Sequence, residues 1–92
     1  MDHVAWDPEK DRLNLAKHGV SFAEAARVLA GDPVRIWPDL AHSTGELRMI
    51  TMGFTPMGLV LVIVTSVGLD GSIRIISARR ATRRERHAFE DD

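Results

Sequence analysis

The sequence predicts an α+β domain: a mostly antiparallel sheet of four to five strands, an N-terminal helical hairpin and a short C-terminal helix. Three observations point there. Two helix starts, Asp7-Pro8 and Ser21-x-x-Glu24, fall close together near the beginning. From Val34 to Arg79 short apolar and β-branched runs alternate with Gly and Pro turns, the pattern of consecutive hairpins. Thr82-x-x-Glu85 then opens one more helix.

Each element has its own signal. His3 to Trp6 is short and suits an edge strand. Asp7 can accept backbone N–H bonds as the N-cap of a helix, and Pro8 fits its first position, where a missing N–H is harmless. This helix runs to about Lys17, and His18-Gly19 ends it because glycine adopts the left-handed conformation cheaply. Ser21 and Glu24 form a capping box for a second helix, with Phe22, Ala25, Ala26 and Leu29 as its apolar face. Gly31-Asp32-Pro33 stops it. Val34 to Trp37 is a strand closed by Pro38, and Asp39 to Gly45 reads as loop. Glu46 to Thr55 is the next strand, turned by Pro56-Met57-Gly58 into Leu59 to Val67. That run is apolar on both faces, the mark of a central strand. Gly68 to Gly71 turns the chain into a last strand, Ser72 to Arg79.

At 92 residues the chain has room for one domain, expected to span 1–92. With 45% hydrophobic residues it is a folding sequence, and without cysteine it can hold neither a disulfide nor a thiolate metal site. No apolar leader follows the acidic start, and Leu59 to Val67 is far too short to cross a bilayer, so a cytoplasmic protein with no membrane partner is expected.

The net charge of −1 hides an asymmetry. Between Arg48 and His87 stand seven arginines (48, 74, 79, 80, 83, 84 and 86) against Asp70 and Glu85 alone, whereas eight of the thirteen acids precede residue 47. Such a distribution can give one basic face to a neutral molecule, and the local field governs capture of a polyanion. A solvated, arginine-rich last helix would explain the same run.

Several chemistries find no support. The four histidines show no metal-ligand spacing, no serine sits in a nucleophile elbow, and no phosphate-cradling glycine loop occurs. What remains is a set of cations: Lys17, His18, Arg48, Arg74, Arg79 and Arg80, with Glu46 as a possible base. RNA cleavage needs no cofactor, because the 2′-hydroxyl already lies beside the scissile phosphate. Arginine forks match phosphate oxygens, and a histidine or carboxylate can move the proton. Pairing residues that sum to about 113 across the Pro56 turn, and to about 139 across the Gly68 turn, sets both Arg48 and Arg74 opposite Thr65, flanking the central strand. Arg79 lies roughly 16 Å further on and joins them in one clamp only through twist or a bulge. Blander roles exist for each: His18 and Lys17 as cations at a helix C-terminus, Arg74 snorkelling or paired with Glu46 or Asp70, and Trp6, Trp37 and Phe54 as core.

Two stretches resemble a known family. Trp6-Asp7-Pro8-x-Lys10 followed by Asn14-x-x-Lys17-His18-Gly19-Val20-Ser21-Phe22-x-x-Ala25 is similar to the opening of the BrnT toxins. Glu46-x-Arg48, Gly53 and Arg74-Ile75-Ile76-Ser77-Ala78-Arg79-Arg80-Ala81-Thr82-x-x-Glu85 follow in the family's order. The resemblance implies a RelE-like fold, metal-independent endoribonuclease activity and inhibition of translation. It also implies a BrnA-type ribbon-helix-helix antitoxin as partner, through which alone the complex would reach operator DNA. By position, His18, Glu46, Arg48 and Arg79 are expected to carry the chemistry, and Lys17, Arg74, Arg80 and Arg83 to bind RNA, with Glu85 ordering the last helix. No metal or other cofactor is expected. Phe89 stands where the family often has tyrosine. The alternative is a non-catalytic module that keeps the fold and the antitoxin interface.

Overall fold

The computed structural model describes residues 4–31, 35–42 and 45–90, the side chains of 42, 89 and 90 apart. Expectations touching His3, Asp32, Pro33, Val34, Ser43 and Thr44 lie outside the described residues. The chain runs β1 (Val4–Ala5), α1 (Pro8–His18), α2 (Phe22–Ala30), β2 (Arg35–Pro38), a 3-10 turn (Leu40–His42), β3 (Leu47–Phe54), β4 (Val60–Val67), β5 (Ile73–Arg80) and α3 (Arg83–Glu90). The strands form one sheet in the order β1-β5-β4-β3-β2. Among the described residues only the β1–β5 pair is parallel; the others are antiparallel. The strand that is apolar on both faces, β4, occupies the centre.

Local chemistry sets the helix ends. Asp7 Oδ1 accepts the Glu9 N–H at 2.9 Å, and Ser21 Oγ accepts the Glu24 N–H at 3.1 Å. Gly19, at φ 71°, donates its N–H to the Leu15 carbonyl and lets α1 turn straight into α2. Asp11 fastens the hairpin by accepting the Phe22 N–H at 2.8 Å. At α3 the capping box is reciprocal: Thr82 Oγ1 accepts from the Glu85 N–H, and Glu85 Oε1 accepts from the Thr82 N–H.

The hairpin α1–α2 covers one face of the sheet. Val20, Phe22, Ala25 and Val28 pack there on Leu61 and Ile63 of β4 and Ile75 and Ala78 of β5, with Trp6 edge-on to Phe22 at 6.4 Å. The opposite face has a smaller apolar patch of Met52, Val60 and Val62, flanked by Ile50 and Ala81. On this second face, which we call the open face because neither α1 nor α2 covers it, Glu85 and Ala88 of α3 line a hollow together with Arg35, Trp37 and Met52.

Two expectations are corrected. Both hairpin registers are one residue further along than predicted: Arg48 pairs with Ser66, and so does Arg74. The two shifts have the same sign, so the arginines still flank the central strand, across Ser66 rather than Thr65. Trp37 and Phe54 are not core; they are 36% and 49% exposed. Both belong to the face opposite α1 and α2.

Candidate functional site

Paired strand residues share a face, so the register fixes what the open face presents. Three rungs cross it. One runs Arg35, Met52, Val62, Arg79; the next Trp37, Ile50, Val64, Ser77; the third Arg48, Ser66, Arg74. Strands β2 to β5 contain no acidic residue at all. Four arginines from three strands therefore lie on one surface, and its nearest carboxylates come from the segments that border it.

Arg74 and Arg79 are five residues apart, an odd number that a regular strand would split between opposite faces. A bulge prevents this. Thr65 pairs with Ile75 but Val64 pairs with Ser77, leaving Ile76 as the extra residue. The outer rungs then lie four β4 residues apart, about 13 Å at strand rise. Arg80, paired with the buried Leu61, projects to the other face, away from Arg48, Arg74 and Arg79. Arg83 is exposed at the first position of α3.

The cations differ in how they are held. Arg79 makes a two-pronged contact with Glu85, NH1 to Oε1 at 2.7 Å and NH2 to Oε2 at 2.9 Å, and NH1 also reaches the Arg80 carbonyl. The Arg79 guanidinium and the cap bonds from Thr82 hold the Glu85 carboxyl down to about 2. Among the described residues, the Arg79 Nε–H and second NH2 hydrogen make no hydrogen bond. Arg48 Nε stands 3.9 Å from Glu46 Oε1, a looser pair at a half-exposed position. Arg74 is exposed and has no carboxylate within 4 Å among the described residues.

Lys17 and His18 come to the β5 edge through a residue the sequence reading did not single out for this role. Asn14 is 8% exposed, and its amide serves as a substitute strand. Nδ2 donates to the Ala78 and Val20 carbonyls, and Oδ1 accepts the Ala78 N–H. This clips α1 to the edge of β5 that β1 leaves uncovered. One side of α1 then forms a groove in which Lys10, Lys17 and His18 face Ile76 and Ser77, beside the bulge. Glu46 lies beyond the start of β3, so the two groups suited to proton transfer stand on opposite sides of the Arg48–Ser66–Arg74 rung. Among the described residues, no three His, Asp or Glu side chains cluster as a metal would require.

Arg35 and Glu85 complete the open face. An isolated arginine in a four-residue strand gave no pattern to read. Glu85 was legible as a capping residue but not as the partner of Arg79.

The sequence model described as the ribonuclease toxin BrnT of type II toxin–antitoxin systems matches residues 6–85. The chain belongs to this family. Its fold is similar to that in the crystal structure of the Brucella abortus ribonuclease toxin BrnT. The match has a TM-score of 0.66 and 22% identity, covering 87% of this chain and 96% of that one. No curated protein sequence matches it. Like other BrnT ribonuclease toxins, the chain has an antitoxin as its implied partner and RNA as its implied substrate. No described helix is long and apolar enough to cross a membrane.

Proposed function

We propose that this BrnT-family chain is a metal-independent endoribonuclease that cuts RNA by attack of the 2′-hydroxyl on the adjacent phosphate, on the open face of the sheet. The observation that supports it best is the rung in which Arg48 and Arg74 flank Ser66. Two arginines on strands about 10 Å apart, either side of the central strand, can straddle one phosphate and neutralise the charge that grows on the phosphorane. Arg79, aimed by Glu85, holds the strand further along. His18 on one side and Glu46 on the other serve the two proton transfers, one drawing the 2′-hydroxyl proton and one supplying the 5′-oxygen. Lys17 adds charge at the β5 edge. Arg80 and Arg83 stand apart from this rung and are not needed for the step.

The cellular role follows from that chemistry. Cleaved RNA stops translation, and a BrnA-type antitoxin with a ribbon-helix-helix part neutralises the toxin in the cytoplasm and carries the pair to operator DNA.

Purified chain incubated with RNA in excess chelator tests the reaction. Products ending in a 2′,3′-cyclic phosphate are expected, and the Arg48→Ala/Arg74→Ala double variant should cut at least 100-fold more slowly while keeping its fold. A folded wild-type chain that leaves RNA intact in chelator, or a double variant that cuts as well as wild type, overturns the reading.

A further inference from the structure

The open face carries a hollow that the Arg48–Ser66–Arg74 rung does not use. It measures about 240 Å³ and is lined by Arg35, Trp37, Met52, Glu85 and Ala88. Its walls come from two layers: the first two rungs of the sheet below, and one side of α3 beside them. Drug-sized ligands take cavities of about 300–1,000 Å³, so this one has room for a single ring system.

The lining chemistry narrows the occupant. Trp37 is 36% exposed and lines the hollow together with Met52, which is buried, so an indole and a thioether share its wall. A flat π-system is what such a pair receives best. Around it the charge is cationic: Arg35 lines the hollow, and Arg79 ends the same rung, gripping the Glu85 carboxylate. No acidic residue lies on the strands beneath. An apolar side chain from a protein would use the wall but not the guanidiniums. A base on a polyanionic strand uses both, which is the combination of stacking platform and basic track found in single-strand binders. The hollow reaches the rung of Trp37, Ile50 and Val64, and the phosphate-straddling pair lies one rung beyond, so both fit on one strand of RNA.

We propose that this hollow holds one unpaired nucleobase of the RNA being cut, stacked on Trp37, while the neighbouring backbone lies across Arg48 and Arg74. The assignment rests on the ribonuclease reading for the second half of that sentence only. Trp37 thus fixes where along the strand the 2′-hydroxyl is presented, and stretches of paired RNA, whose bases are already stacked, are poor substrates.

Two measurements test it. Trp37 fluorescence is followed as a 2′-O-methyl oligoribonucleotide is added, a strand that cannot attack itself. Quenching is expected, weakened at least fivefold in affinity when the strand is wholly abasic, and absent in Trp37→Phe, where only Trp6, packed on Phe22 beneath the sheet, still emits. In cleavage of a short single-stranded RNA, Trp37→Ala should raise KM about tenfold or more with kcat changed far less, and Trp37→Phe should restore most of the loss. Equal quenching by abasic and complete strands, or an unchanged KM in Trp37→Ala, overturns the proposal. So does quenching by the antitoxin but by no oligonucleotide, which would give the hollow to the protein partner. Cleavage without base-dependent quenching leaves the ribonuclease standing and removes the hollow from it. Base-dependent quenching without cleavage does the reverse.

Discussion

The two faces of this sheet are made by the same strands, β2 to β5, and have opposite chemistry. Under α1 and α2, Leu61, Ile63, Ile75 and Ala78 are at most 1% exposed and meet another apolar layer. On the other side, the residues one step along β4 and β5 are Val62, Val64, Ser66, Arg74, Ser77 and Arg79, with α3 at one end. The lesson concerns how a chain this short divides its labour. One face supplies most of the apolar burial that stabilises the fold, which frees the other to hold charge at close quarters, an arrangement that contributes little to stability and repels itself.

Substitutions that cross this divide should behave very differently. The largest loss of stability is expected from Leu61→Ala, which empties a fully buried site on the covered face. A cost of about 3–5 kcal/mol is expected, enough to unfold much of a small domain, read from urea unfolding followed by circular dichroism. Asn14→Ala comes next, at about 2–4 kcal/mol, because it strips the Ala78 N–H and carbonyl of their partner in a buried place. It should also free the end of α1, seen as faster amide exchange from residue 15 to 20. A milder change is Glu85→Gln. The Glu85 carboxyl sits at about 2 in the fold against an ordinary 4.5. A depressed folded value means the contribution is present above about pH 4.5 and is lost as pH falls towards 2. With the pair a third exposed, it amounts to about 1 kcal/mol after solvent screening. Wild-type stability should therefore drop over that window and the glutamine variant's should not; parallel acid titrations of the two would contradict the pairing. Smallest in stability is Arg74→Ala on the open face, within about 0.5 kcal/mol of wild type. Its effect belongs to RNA instead: binding should weaken, and the salt dependence of log affinity should fall by about 0.7 for the phosphate contact removed.

Much of the architecture could be read from the chain because its signals are local. Asp7-Pro8, Ser21 and Thr82-x-x-Glu85 act within a helical turn, and β4 announces its central place by having no polar side. The one parallel pair, β1 with β5, joins opposite ends of the chain and had no local signal. Registers were less secure. A turn leaves one residue of latitude, and the alignment of Arg48 with Arg74 survived only because both hairpins slipped the same way. The site was legible as a list of cations and not as an arrangement. Whether Arg79 shares a face with Arg74, whether Arg80 does not, and how Arg35 joins them are set by strand neighbours far away in sequence. The aromatic residues misled for a physical reason as well. Small domains usually need such rings inside, but Trp37 and Phe54 lie on the face that α1 and α2 do not cover.

The bulge at Ile76 has a consequence for how this chain can change length. Removing that one residue would make β5 alternate regularly, with Ser77 still opposite Val64 and Arg79 still opposite Val62. Every later side chain would keep its side of the sheet. A single-residue deletion at Ala78, with the bulge retained, would instead turn Arg79 inward beneath α1 and α2. Position 76 is thus a slot where loss of one residue leaves the arginines on their face, within a strand otherwise intolerant of a change in length.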